Sequence, residues 1–497
     1  MIGRQMLGYV PVNLANIVIS FGTIAILTRL FDGAEFGRYA LAIASLHFIH
    51  MVFFTWIEAA MARFYARAER RGKLATHLKT SYITAVVMAI IGLPLFMGLV
   101  YILPVENTMK TILAFALAST CLTLIYNIGI EAHKAAHRIG RFSAIHSSQS
   151  LFGFSLGIIL ILVTPLREVA PFVGIMAASG LAVLVDLPFM LKRMRGGGVD
   201  TARVKQYFAY GMPICFALML SYILSQGDLF FIKYFMDDLA VGQYNAGYNL
   251  ANRSLDVLFV WIAMAITPIA ITTLEQDGLE TTKKVLKNYG EILLLVILPA
   301  ATGIALVAEP AGFILGESVR AEAVKIMPWI AFVGVMNGFI AYYAQRAFML
   351  SRKTGLLAMT MIPPVIINVI LNIWLIPIYG LNGAVWSTLI AYGIGLVLSF
   401  AVARRSFPLP LPFKAFAQTA FACVVMAGAV LALPNFVDQL PDVLELLVKA
   451  GVGAAVYGLV VFALNTANCR TLLKDLRDKI KTRTHTPRVE VEPESLP

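Results

Sequence analysis

The chain has 497 residues, of which 59% are hydrophobic and only 14% charged, and its formal net charge is +12. A soluble domain carries about 25% charged residues, so this balance, with a mean hydropathy of +0.79, excludes an ordinary soluble enzyme. Cys121, Cys215, Cys423 and Cys469 show no paired spacing, which implies neither a disulfide framework nor a metal site.

Apolar runs of about 20 residues follow one another almost to the end, each able to cross a hydrocarbon core of about 30 Å as a helix. Fourteen spans are expected, at about 9–28, 38–61, 80–103, 110–130, 143–164, 169–190, 207–227, 241–271, 288–308, 324–345, 355–376, 379–402, 413–434 and 443–464. The fold class is therefore an all-α polytopic membrane protein. The first run lacks a small-residue cleavage site and is long enough to stay as an anchor. The segment 62–79 reads as a basic helix outside the membrane. Residues 194–201, RMRGGGVD, form a Gly-rich linker after span six. The tail 465–497 starts as an amphipathic helix carrying Leu472, Leu473, Leu476 and Ile480, suited to a membrane surface. It ends in a Pro- and Glu-containing stretch expected to be partly disordered.

Charge placement sets the orientation. With the N-terminus inside, 31 of the 40 Lys and Arg fall at the inner ends, 8 at the outer ends, and Arg253 lies within a span. That asymmetry predicts cytoplasmic N- and C-termini. It also assigns the basic surplus to topology and to anionic membrane lipids, not to nucleic acid.

The Gly-rich linker separates two similar halves. GYVP (8–11) opens span one and YGMP (210–213) opens span seven, each expected to place its proline in a first helical turn. LTRLFDGAEFGRYA (27–40) aligns with IKYFMDDLAVGQYN (232–245) at an offset of 205, bringing Asp32 onto Asp237, Gly37 onto Gly242 and Tyr39 onto Tyr244. Such repeats put transporter sites at their interface. Span eight carries the polar face expected there. Asn245, Asn249, Asn252 and Asp256 fall within roughly 60° of arc, with Arg253 beside them. A polar stripe in hydrocarbon is costly unless it faces protein or a watery cavity. The same offset carries Asn252 onto His47 and Ala263 onto Glu58. On a continuous helix these two lie about 20° apart, with His50 about 60° to one side.

The residues TRLFDGAEFGRYALA (28–42), VGQYNAGYNLAN (241–252) and NVILNIWLIPIYGLNGAVWSTLIAYGIG (368–395) resemble the polysaccharide-transporter branch of the superfamily that also holds multidrug exporters and lipid II flippases. The Wzx-type flippases of lipid-linked oligosaccharides are the nearest likeness. The resemblance covers about residues 1–464 and departs at Phe31-Asp32-Gly33, where the family more often has Leu-Gly. It implies two pseudo-symmetric six-helix lobes around a central cavity, 1–195 and 196–408, with two further helices in 409–464 and the tail in 465–497. It implies flipping of a polyprenyl-diphosphate-linked oligosaccharide from the inner to the outer leaflet of a bacterial inner membrane, for O-antigen, capsule or exopolysaccharide assembly. Contacts with polysaccharide assembly proteins would follow.

On that reading Arg253 is the candidate diphosphate ligand, because a guanidinium forks onto phosphate oxygens. The competing reading pairs it with Asp256 at i+3, serving structure alone. Asn245, Asn249, Asn252, Asp256 and His47 would complete the substrate site. Arg29 matches a family arginine, against the plainer reading of an interfacial anchor. His50 and Glu58 are candidates for ion coupling, against a helix-packing hydrogen bond. Glu131, Asp186 and Asp228 read as interfacial, Asn368 and Asn372 as partners for backbone freed by Pro363 and Pro364. Asn337, Tyr342, Gln345 and Arg346 read as an inner mouth. No P-loop, HExxH or dinucleotide turn occurs. No catalytic residue, metal or cofactor is therefore expected, and an H+ or Na+ gradient is the expected energy source. The alternatives are a lipid II flippase, a multidrug exporter, which would favour an acidic aromatic cavity, and a membrane glycan polymerase or ligase, which would need a long external loop.

Overall fold

The computed structural model describes residues 8–102, 104–351, 353 and 355–470; the amphipathic tail expected around Leu472–Ile480 lies outside them. Among the described residues the regular elements are all helices, and fourteen are long and apolar enough to span a membrane. In chain order they are α1 (Val10–Leu30), α2 (Gly33–Phe53), the short α3 (Thr55–Arg70), α4 (Leu74–Ile102), α5 (Asn107–Ala135), α6 (Ile139–Val163), α7 (Arg167–Met194), α8 (Thr201–Gln226), the short α9 (Asp228–Phe235), α10 (Asp238–Gln276), α11 (Gly278–Leu306), α12 (Glu317–Leu350), α13 (Ala358–Tyr379), α14 (Leu381–Ser406), α15 (Phe413–Leu431) and α16 (Asp442–Leu464). The chain is a multi-pass membrane protein.

Two expected boundaries move. Span two, expected over 38–61, is broken at Phe54, whose φ of −121° and ψ of −32° leave the helical region. At the break Phe54 N still donates to His50 O at 2.9 Å, Thr55 Oγ1 adds a second donor to that carbonyl at 3.3 Å, and Trp56 Nε1 donates to Phe53 O at 2.8 Å. Side-chain donors thus supplement the ladder bonds in an apolar setting. Span seven begins at Thr201, so Pro213 lies in the interior of α8 and not in its first turn. An Asp200 cap, accepting from Arg203 N at 3.3 Å, starts the helix earlier than hydropathy suggests.

Packing divides the chain into two compact units, Met1–Val257 with Ala308–Pro408, and Leu258–Val307 with Leu409–Pro497. Within the second, α11, α15 and α16 pack together, and Tyr457 Oη donates to Leu295 O at 2.7 Å. Within the first, α2 and α10 start alike. Asp32 caps α2 by accepting from Glu35 N at 2.8 Å, while Glu35 accepts from Asp32 N at 2.9 Å, a reciprocal capping box. Asp237 caps α10 by accepting from Ala240 N at 2.8 Å. The two helices then cross where neither has a side chain. A Cβ on Gly37 would lie 1.8 Å from Asp238 O, and one on Gly242 would lie 2.2 Å from Gly33 O. These contacts interconvert under the offset of 205.

Candidate functional site

Below the Gly37–Gly242 crossing, α1, α2, α8, α10 and α12 enclose a cavity of about 440 Å³, within the range of small-molecule sites. Asn245, Asn249, Asn252, Arg253 and Asp256 all line it from α10, and His47 faces them from α2. Ser20, Thr23, Tyr222, Ser225, Gln226 and Asn337 add further polar groups to the wall. Tyr222 Oη donates to Ala44 O at 3.0 Å, fixing α8 against α2, and its ring meets the His47 ring edge-on at 6.3 Å between centroids.

The stripe satisfies only part of its own polarity. Asn249 Nδ2 donates to Asn245 O at 3.0 Å and Asn252 Nδ2 to Asp256 Oδ2 at 3.1 Å. Asn252 Oδ1 is buried without a hydrogen-bond partner. Arg253 is exposed to the cavity, and no carboxylate among the described residues lies within the 4.0 Å of an ion pair. The i, i+3 pairing of Arg253 with Asp256 is absent; Asp256 is turned to Asn252 instead.

The remaining candidates lie elsewhere. Arg29 does not line the cavity; its Nη2 donates to Phe313 O at 2.6 Å. Beside it Gly316 N donates to Thr28 Oγ1 at 2.9 Å. Arg38 Nε donates to Glu168 Oε1 at 2.9 Å, Arg167 Nε to Glu35 Oε1 at 2.8 Å, and Lys233 Nζ pairs with Asp238 Oδ1 at 2.7 Å. Of these contacts, Arg38–Glu168 and Arg167–Glu35 lie within 1–195 and Lys233–Asp238 within 196–408, whereas Arg29–Phe313 and Gly316–Thr28 join the two halves. Glu58 leaves the arc of His47 because the wheel that joined them runs across the break at Phe54. It faces His50 Nε2 at 2.9 Å and accepts from Asn127 Nδ2 at 2.9 Å, outside the cavity wall. Arg346 Nε donates to Tyr342 O at 3.2 Å, leaving Asn337 as the member of that group in the cavity wall.

The strongest polar centre was misread from sequence. Asp228, expected at an interface, is 1% exposed. Tyr244 Oη donates to its Oδ2 at 2.7 Å, and Asn372 and Asn368 donate to its Oδ1 at 2.6 and 3.2 Å. Thr388 Oγ1 also donates to Oδ2, and Ser387 to Asn372. Asn368 and Asn372 therefore serve a carboxylate, not proline-freed backbone. The signal was present as two Asn one turn apart facing Ser-Thr on the next helix. Asp186 is likewise buried, 3.0 Å from His133 Nε2 and 2.7 Å from Arg141 Nη2. No cluster of three or more His, Cys, Asp and Glu occurs among the described residues.

Residues 2–274 match the model of a family described as polysaccharide biosynthesis protein. The chain belongs to that family. The matched stretch takes in His47 and the whole α10 stripe. A probable flippase, AglR of Haloferax volcanii, is 22% identical over 247 residues, 48% of this chain and 50% of that protein, so the chain spans about half the length of the curated relative it matches. Among solved structures, the lipid II flippase MurJ in an inward closed conformation superposes with a TM-score of 0.75 at 14% identity, covering 94% of this chain and 100% of that one. An inward-facing multidrug resistance MATE transporter superposes at 0.62 and 13% identity, covering 79% and 97%. These likenesses carry the fold.

Proposed function

We propose that this family member flips a polyprenyl-diphosphate-linked oligosaccharide between leaflets by alternating access, from the inner to the outer leaflet of a bacterial inner membrane. One observation carries the reading: a guanidinium, Arg253, with no carboxylate within 4.0 Å among the described residues, stands on the edge of an amide stripe lining the cavity. An arginine within a span costs about 2.5–3.5 kcal/mol on the insertion scale. A diphosphate offsets that cost with bidentate, charge-assisted hydrogen bonds. Asn245, Asn249 and Asn252 replace the water that sugar hydroxyls lose on leaving solution. His47 adds a second donor across the cavity.

Two six-helix lobes related by the offset of 205 would rock about the Gly37–Gly242 crossing, with the Arg29–Phe313 and Thr28–Gly316 contacts as the gate that parts when the cavity faces outward. The His50–Glu58 pair and the buried Asp228 are the places for a coupling H+ or Na+. A lipid II flippase shares the diphosphate requirement and differs in the sugar. Arg253 and His47 disfavour a cationic drug in this cavity.

The direction of transport rests on the cytoplasmic termini. In a cysteine-free background, Glu69→Cys, Arg195→Cys and Glu280→Cys in intact cells resist an impermeant thiol reagent, whereas Glu106→Cys and Glu317→Cys react. Labelling of the first three would invert the proposed direction.

A further inference from the structure

A second polar cavity, of about 200 Å³, lies away from the transport site between the end of α3 and the first turns of α8. Arg67, Arg71, Arg203 and Gln206 line it, with the rings of Phe64 and Tyr207. Its apolar wall is rigid. Tyr207 is buried and hydrogen-bonded to His77, and its ring stacks on Phe64 with centroids 5.6 Å apart and planes 25° from parallel. Arg203 is held by Asp200, Nε to Oδ2 at 2.9 Å, which cancels one charge. Arg67 and Arg71 have no carboxylate within 4.0 Å among the described residues, and Glu69, from the same turn, is not part of the wall. Arg63, Arg67 and Arg71 recur at steps of four, the spacing at which like charges repel along a helix. The helix end favours cations there, but no carboxylate among the described residues neutralises this pair.

We propose that this cavity binds a phosphate-bearing anion, held by the forks of Arg67 and Arg71 over the Phe64–Tyr207 platform. Planar guanidinium forks match phosphate oxygens, and Gln206 can donate a neutral hydrogen bond. The site lies beside the first turns of α8, at the N-terminal end of a candidate membrane span, so the phosphate comes from a phospholipid of the adjoining leaflet or from solution.

The test uses the purified full-length chain in neutral detergent at constant ionic strength. Thermal unfolding is followed while dioleoylphosphatidylglycerol, dioleoylphosphatidylcholine or inorganic phosphate is titrated in. Phosphatidylglycerol raises the midpoint saturably and phosphatidylcholine does not; an equal response to inorganic phosphate also supports the site and assigns it to a soluble source. R67Q/R71Q weakens half-saturation by about tenfold or more, and R67K/R71K, which keeps charge but loses the fork, by about threefold. R404Q/R405Q, which removes the same charge from the end of α14, leaves it unchanged. Equal weakening by both glutamine doublets reduces the effect to bulk charge and overturns the proposal. So does a wild-type chain that responds to neither phosphate source, or an R67K/R71K variant that binds as tightly as wild type.

Discussion

Two polar clusters sit within apolar helices of the same compact unit, and they differ in what they lack. Around Asp228 both carboxylate oxygens accept from amides and hydroxyls, and the members are buried. In the α10 cavity, among the described residues, Arg253 has no carboxylate within 4.0 Å and Asn252 Oδ1 no donor. A saturated cluster holds helices together or holds an ion; an unsaturated one beside a void is completed by a ligand. Polarity within a span does not by itself distinguish them, but unmet hydrogen-bonding capacity does.

The comparison breaks most visibly at Asp228. Asp228→Ala leaves Tyr244 Oη without its acceptor and takes one of two bonds from Thr388, Asn368 and Asn372, which keep Ala384 O, Thr388 Oγ1 and Asn368 Oδ1; a buried orphan alone costs about 1–3 kcal/mol. The thermal midpoint and membrane abundance should collapse, whereas Asp228→Asn, which keeps one acceptor oxygen, should lose less. A stable Asp228→Ala protein would mean the cluster is as open as the cavity. Next in size are Gly37→Ala and Gly242→Ala. Each Cβ would overlap a backbone oxygen, and overpacking of this kind costs about 1–3 kcal/mol. Because the contacts interconvert under the offset of 205, the two losses should be equal within error. Tolerance of one and failure of the other would deny the symmetry. Tyr222→Phe removes only the bond to Ala44 O and should cost about 1 kcal/mol by denaturant titration.

Membrane class, span number and the α10 stripe were legible because hydropathy and the 3.6-residue period act over many residues and tolerate small errors. The crossing of α2 and α10 was legible as a coincidence of glycines and caps at one offset. Glu58 was misplaced because a wheel assumes a continuous helix, and the break at Phe54 depends on side-chain donors from Thr55 and Trp56 that hydropathy does not register. The Asp228 centre needed α9, α10, α13 and α14 to meet, a tertiary fact that no window along the chain contains. Arg253 was left between two partners because spacing permits an ion pair at i+3, and only the side-chain directions decide it.

Arg253 gives the smallest expected change in stability, within about 0.5 kcal/mol on removal, and the central claim rests on its function. The deciding measurement follows membrane abundance and surface glycan together in Arg253→Ala, Arg253→Lys and the double change Arg253→Ala with Asp256→Ala. The account predicts normal abundance in all three, glycan abolished by both alanine variants, and glycan weakened by lysine, which keeps the charge but not the fork. Low abundance in Arg253→Ala, restored with full glycan export in the double variant, would make Arg253 a partner of Asp256 and remove it from the substrate site.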